Sequence, residues 1–126
     1  ESVIPRIRSD LLQHFIALGE GRLGDERIET DPRYSAAVML VSAGYPGSYE
    51  KGKPISGLDD AAGSIIFHAG TKADGSGQVF TNGGRVIALT FLDETLQGAL
   101  ERSYRLAAKV SFEGKYYRRD LGHDLL

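Results

Sequence analysis

Three histidines, His14, His68 and His123, are the first residues in this sequence whose chemistry invites a role. Imidazole serves as a base, a proton shuttle or a metal ligand. A metal site needs ligands at helical or hairpin spacing. These three are scattered, with no second His, Asp or Glu at a recognised spacing, so no metal site is expected. His14 reads as part of a polar helix face and His123 as exposed near the chain end. His68 closes an apolar stretch and precedes Ala69-Gly70-Thr71-Lys72, and strand ends followed by glycine are where sites tend to sit. It is either a buried, satisfied imidazole or a functional one. Anion binding is the second chemistry on offer. Gly83-Gly84-Arg85 sets bare backbone N–H groups beside a guanidinium, which suits phosphate or carboxylate; the alternative is a plain hairpin turn with an exposed arginine. Gly44-Tyr45-Pro46-Gly47 is either a turn or the wall of a pocket. Nucleophilic catalysis has little to work with. There is no cysteine, Ser9 and Ser103 have no nearby base or nucleophile elbow, and no dinucleotide or P-loop pattern occurs. No catalytic residue is expected.

Composition narrows the class. The chain has 126 residues, 41% of them hydrophobic and 25% charged. That is one domain's length, and enough chain to bury a sizeable core. Fifteen basic residues stand against 17 acidic ones, a net charge of -2. No polybasic field points to nucleic acid or anionic lipid. No apolar run approaches a membrane span, and no basic n-region opens the chain. A soluble, cytoplasmic domain without nucleic-acid or membrane partners is expected. Glycine is the outlier: 16 residues, ten of them from Gly44 to Gly84, against average usage of about 7%. Apolar residues such as Ile65-Ile66-Phe67 and Val79-Phe80 interrupt them. The glycines therefore punctuate short strands, at tight turns or at points of close backbone approach.

The elements follow from periodicity. Ile4, Ile7, Leu11, Phe15 and Leu18 predict one apolar stripe on a helix of about four turns, with Pro5 in its first turn and Gly19 and Gly21 as stops. Residues 22–33 read as a surface connection. Residues 34–43 (YSAAVMLVSA) predict a strand covered on both faces, ending at Gly44-Tyr45-Pro46-Gly47. Residues 53–58 predict a short edge strand, residues 65–69 and 78–81 two more. Asn82-Gly83 predicts a type I′ hairpin turn into an alternating strand over 85–91. Asp93 reads as the N-cap of a second amphipathic helix, with Leu96, Leu100, Ser103, Leu106 and Val110 on one side. The order predicts an α+β fold: a mostly antiparallel sheet of about five short strands, similar to a hybrid motif, packed against two main helices.

Four segments carry a resemblance together. They are Pro5-Arg6-Ile7-Arg8-Ser9-Asp10-Leu11; Ser42-Ala43-Gly44-Tyr45-Pro46-Gly47-Ser48-Tyr49 with Gly52 and Ile55-Ser56-Gly57; Phe67-His68-Ala69-Gly70-Thr71-Lys72; and Thr81-Asn82-Gly83-Gly84-Arg85-Val86. In that order and spacing they resemble the C-terminal domain of the phosphoribosylamine–glycine ligases (glycinamide ribonucleotide synthetases), an ATP-grasp family, and the tail from Tyr117 to Gly122 resembles that family's ending. The resemblance implies an enzyme of de novo purine synthesis that joins glycine to 5-phosphoribosylamine and splits ATP, with magnesium or manganese, to ADP and phosphate. It implies that the glycine carboxylate is phosphorylated and that the amine then attacks the acyl phosphate. The family's magnesium-binding Glu and Asn and its Arg-x-Gly-Asp-Pro-Glu segment lie upstream of the position of Glu1. Residues 1–126 are therefore expected to be a C-terminal fragment that binds no ATP or metal and is inactive alone. Carried over by position, the substrate-binding candidates are Gly44, Tyr45, Pro46 and Gly47 as a shaped turn, His68, Gly70, Thr71 and Lys72 as a polar strand end, and Gly84 and Arg85 as donors to an anion.

A different class of reading is a small autonomous binding or interaction module with a hybrid-motif-like β region. A carrier domain of that kind would place a lysine at a hairpin tip, and Asn82-Gly83-Gly84 carries none.

Overall fold

A computed structural model describes residues 1–59 and 61–125. Strand β1 (Tyr34–Ser42) is followed by β2 (Ile65–His68), β3 (Thr71–Ala73), β4 (Val79–Thr81) and β5 (Arg85–Asp93). Helix α2 (Leu96–Lys109) and the short β6 (Lys115–Tyr116) complete the order, and helix α1 (Leu11–Gly19) precedes them all. Four strands form one sheet in the order β2-β5-β1-β6, and β3 and β4 form a separate hairpin. Every strand pair is antiparallel. The α+β class with two main helices and antiparallel sheets is what the chain adopts.

The core lies between α2 and one face of the larger sheet. Residues directly opposite on an antiparallel pair share a face. Ala36↔Phe91, Val38↔Leu89 and Leu40↔Ile87 are such pairs. All six side chains are buried, and most meet Leu106, Ala107 and Val110 of α2 in one cluster. At the helix's other end Ala36 packs with Ala99 and Leu100. The one polar residue deep in this layer, Ser103, donates from Oγ to the carbonyl of Ala36 at 2.8 Å, so its burial leaves no unpaired group. The intervening residues of β1 are only half-buried, so the strand is covered fully on one face rather than on both. Part of the second face is closed by the chain's own start, where Thr90 Oγ1 donates to the carbonyl of Glu1 at 3.0 Å.

Several local expectations change. The long N-terminal helix is broken in two. A 3-10 turn spans Ile4–Arg6, and α1 begins only after Asp10, whose carboxylate accepts from the backbone N–H of Leu12 and Gln13. This N-cap satisfies donors that a continuous helix would have used. His14 does not lie on a polar outer face. It is buried, with Nε2 2.7 Å from Ser9 Oγ. The N-cap of α2 is Thr95, not Asp93; its hydroxyl accepts from Gly98 N–H at 3.0 Å. Residues 53–58 make single bridges, Pro54↔Phe80 and Ser56↔Ser111, and no continuous strand. Asn82-Gly83 is not a type I′ turn. Neither residue has a positive φ, and β4 pairs with β3, leaving Asn82-Gly83-Gly84 as the crossing between the two sheets.

The segment before β1 is tied to itself by Asp31 and Arg6. Asp31 N–H donates to the carbonyl of Arg6 at 2.6 Å, and the Arg6 guanidinium returns two bonds to the Asp31 carbonyl. The Asp31 carboxylate takes a two-pronged contact from Arg33, at 3.0 and 2.7 Å. These charge-assisted bonds hold the Asp31 carboxyl well below the usual carboxylate range. A carboxyl with a depressed folded value stabilises the fold above the unfolded value of about 3.9, and that contribution is lost as pH falls through the folded value. In an NMR titration the Asp31 side-chain carboxyl should therefore still be ionised at about pH 3, and Arg33→Ala should raise its pKa toward the ordinary range while the retained backbone N–H of residue 33 keeps part of the shift.

Candidate functional site

The glycine-rich segments, scattered from residue 44 to residue 85, converge at one corner of the fold. Three passages meet there. One is the turn after β1, residues 43–49, in which Tyr45 N–H donates to the carbonyl of Ser42 at 3.1 Å. The second is Ala69-Gly70, which leads from β2 in the larger sheet to β3 in the smaller. The third is Asn82-Gly83-Gly84, which returns from β4 to β5. Backbone bonds stitch them: Asn82 N–H to Gly70 carbonyl at 2.7 Å, Ser42 N–H to Gly84 carbonyl at 2.8 Å, and both Ala69 and Gly70 N–H to Val86 carbonyl at 3.0 Å. Ser42, itself buried, adds a bond from Oγ to the Gly83 carbonyl at 3.0 Å.

The glycines here serve close approach within the chain. A Cβ on Gly70 would run into the Arg85 carbonyl oxygen and come within 2.8 Å of Gly83 Cα. The two crossing passages thus touch backbone to backbone. A Cβ on Gly84 would overlap the Tyr45 ring and lie 3.0 Å from a ring carbon of Tyr49. Those two rings sit tilted, 6.3 Å between centroids, over a buried Gly84. Gly44 has a φ of +86, a conformation open to glycine and costly for a side chain. The Tyr45-Pro46 peptide is cis.

Around this frame stand exposed polar groups. His68 is solvent-exposed rather than buried, and its Nδ1 lies 2.9 Å from Thr71 Oγ1. Lys72 and Arg85 are exposed, and among the described residues neither has an ion-pair partner. Lys53 is different: it holds Glu50 at 2.8 Å and Glu113 at 3.0 Å, and these carboxylates raise its pKa. The arrangement therefore offers two uncommitted cations and an imidazole–hydroxyl pair on a rigid, glycine-packed base. Behind Tyr45, a groove of about 330 Å³ runs along Met39 and Val41 to Tyr116. Among the described residues no three His, Asp or Glu side chains gather where a metal ion could sit, and no helix is long and apolar enough to cross a membrane.

All ten sequence candidates lie in or beside this corner. Sequence reasoning missed two members, Tyr49 and Ser42. The spacing of Tyr45 and Tyr49 around Pro46-Gly47 was a usable signal for the first. The second needed the register of β1 against residues 83–85.

A four-stranded antiparallel sheet under one helix, with a small hairpin attached through glycine crossings, defines a compact α+β module with a cationic corner. The family model for "Phosphoribosylglycinamide synthetase, C domain" matches residues 35–124, so the chain belongs to that family. A phosphoribosylamine–glycine ligase of Vibrio cholerae is 42% identical over 98% of this chain and 29% of its own length. A bifunctional purine biosynthetic protein of Dictyostelium discoideum is 40% identical over 98% of this chain and 16% of its own. The crystal structure of the phosphoribosylamine–glycine ligase of Thermotoga maritima superposes with a TM-score of 0.70 at 40% identity, covering 86% of this chain and 27% of that one. The chain thus spans less than a third of the length of these relatives.

The two kinds of glycine contact separate by substitution. Gly70→Ala meets backbone on two sides and should cost about 1–3 kcal/mol of stability, the range for overpacking. Gly84→Ala meets aromatic rings that can swing outward, so urea unfolding should change less while the tyrosine near-ultraviolet dichroism changes more.

Proposed function

We propose that this chain is the C-terminal domain of a phosphoribosylamine–glycine ligase. In that reading the whole enzyme condenses glycine with 5-phosphoribosylamine at the expense of ATP, giving glycinamide ribonucleotide, ADP and phosphate. The observation that carries it is the match, at about 40% identity over nearly the whole chain, to proteins named phosphoribosylamine–glycine ligase. The ATP and magnesium of such a reaction do not fit this chain's own residues. Among the described residues there is no cluster of carboxylates for a metal, and the sequence has no phosphate-cradling glycine loop. Those groups would be held by the remainder of the polypeptide.

What this chain adds is a wall of fixed positive charge. Phosphoribosylamine carries a phosphate and glycine a carboxylate. Bringing two anions together costs Coulomb energy, and cations already in place lower that cost without reorganising during the reaction. Arg85 and Lys72 are the groups free to do this, because no carboxylate of the described chain neutralises them. Arg85 can present two parallel N–H donors to a phosphate or carboxylate. Its position is fixed because it opens β5, opposite Val41. His68 and Thr71 supply a hydrogen-bonding pair for a ribose hydroxyl. Tyr45, Pro46, Gly44, Gly47, Gly70 and Gly84 hold the shape of that wall.

In the full-length ligase, Arg85→Ala should raise the KM for phosphoribosylamine or glycine by about tenfold or more, the effect of losing a charge-assisted bond, with a smaller change for Lys72→Ala. Unchanged steady-state kinetics would remove Arg85 from the wall. Residues 1–126 alone should show no glycine-dependent ATP hydrolysis in a coupled ADP assay.

A further inference from the structure

Two cations near the end of the chain meet without a counter-charge. Lys115 opens β6 and turns its ammonium back to the C-terminal end of α2. There Nζ donates to the carbonyls of Ala107 at 2.7 Å and Val110 at 2.5 Å. A lysine so placed satisfies carbonyls that the helix leaves open. The helix end carries about half an elementary negative charge, so a full ammonium overcompensates it. Two of the three ammonium donors are committed, and the third has no partner among the described residues. Arg119 comes up to the same place. Its Cζ lies 5.8 Å from the centre of the Tyr117 ring, and Lys115 Nζ lies 5.5 Å from it. Burial, and after it the charge of Arg119, hold the Lys115 ammonium below the ordinary lysine range. The neighbouring carboxylates are engaged elsewhere: Glu113 with Lys53 at 3.0 Å and Asp120 with Arg118 at 2.9 Å. Two like charges beside one ring carry a Coulomb cost that a bound anion would offset.

The surroundings say what kind of anion. Ala108, Lys115, Tyr116, Tyr117 and Arg119 line one groove of about 590 Å³, with no carboxylate among them. That volume falls within the range of small-molecule sites, about 300–1,000 Å³, and is more than a lone phosphate fills. Tyr116 is 62% exposed, a planar ring with one side free. Pairing of Lys115 and Tyr116 with Ser42 and Val41 fixes the backbone of both. A guanidinium beside an ammonium suits a phosphate, and an open tyrosine face suits a planar base. We propose that this groove binds a nucleoside monophosphate, its phosphate between Lys115 and Arg119 and its base on Tyr116. None of the lining residues belongs to the glycine corner, so this ligand is neither a substrate held there nor the ATP of the ligase reaction. The site stands independently of the ligase reading.

Acylation of Lys115 by an N-hydroxysuccinimide ester tests this in the full-length protein that contains the chain. The extent is read by mass on the peptide carrying Lys115, with AMP, adenosine or inorganic phosphate present at constant ionic strength. AMP at about 10 mM should slow the labelling about tenfold, as a dissociation constant of about 1 mM requires. Adenosine and phosphate should each slow it less than about twofold. Arg119→Ala and Tyr116→Ala should each remove most of the AMP effect, measured as the ratio of rates with and without AMP in the same variant. Both side chains are exposed, so neither change opens the core. Slowing below about twofold with AMP would overturn the proposal. So would phosphate acting as strongly as AMP, which leaves an ion site only, and so would an AMP effect that both variants keep, which puts the nucleotide elsewhere on the protein.

Discussion

Val86 to Phe91 of β5 are all buried, and the strand has hydrogen-bonded neighbours on both edges. Among the described residues no other segment is enclosed in this way. An apolar strand excluded from water on both faces gains from each side chain it buries, and it must find partners for every backbone N–H and C=O. β1 and β2 supply those partners. The register of β1 sets Val38 and Leu40 opposite Leu89 and Ile87, and so presents one even apolar surface to α2. A slip of one residue would send these side chains to the opposite face. The position of α2, the end of β1 and the start of β5 all follow from that pairing.

The corner that carries the candidate site is a consequence of it. β5 begins at Arg85, immediately after two glycines, and β1 ends at Ser42, immediately before the Gly44–Gly47 turn. Once the two strands are paired, these ends must lie side by side. The hairpin of β3 and β4 then has to leave and re-enter the larger sheet at the same place, which forces Gly70 against Gly83. Backbone crossing backbone at that distance excludes any side chain. The crowding fixes the backbone from which Arg85 projects, while its exposed side chain has no ion-pair partner among the described residues.

The class of fold was legible because burial follows residue type. Residues 34–43 and 85–91 declared themselves as strands, and Leu100, Ser103 and Leu106 as one side of a helix. The mistakes have physical causes. The helix predicted from Ile4 to Leu18 rested on apolar periodicity alone, and the carboxylate of Asp10 overrode it by capping a later start. Asn82-Gly83 has the composition of a tight turn, yet long-range pairing decides whether the chain reverses onto the next strand or crosses to another sheet. His14 was read by its polarity. It is buried because Ser9, five residues earlier in sequence, satisfies one ring nitrogen.

By itself the sequence determined the α+β class and the central strands, because periodicity and glycine placement are written in neighbouring residues, and its motifs carried the family resemblance that nominated the ten candidate positions. Only the tertiary structure decided what those glycines do. Gly84 seats the rings of Tyr45 and Tyr49, and Gly70 seats Gly83. It also decided that His68 faces solvent beside Thr71 and that, among the described residues, Lys72 and Arg85 stand without counter-charges while Lys53 does not. Spacing along the chain cannot report which charges and surfaces meet across tens of residues. That depends on strand register, and register is fixed by the summed burial of the whole sheet rather than by any local segment.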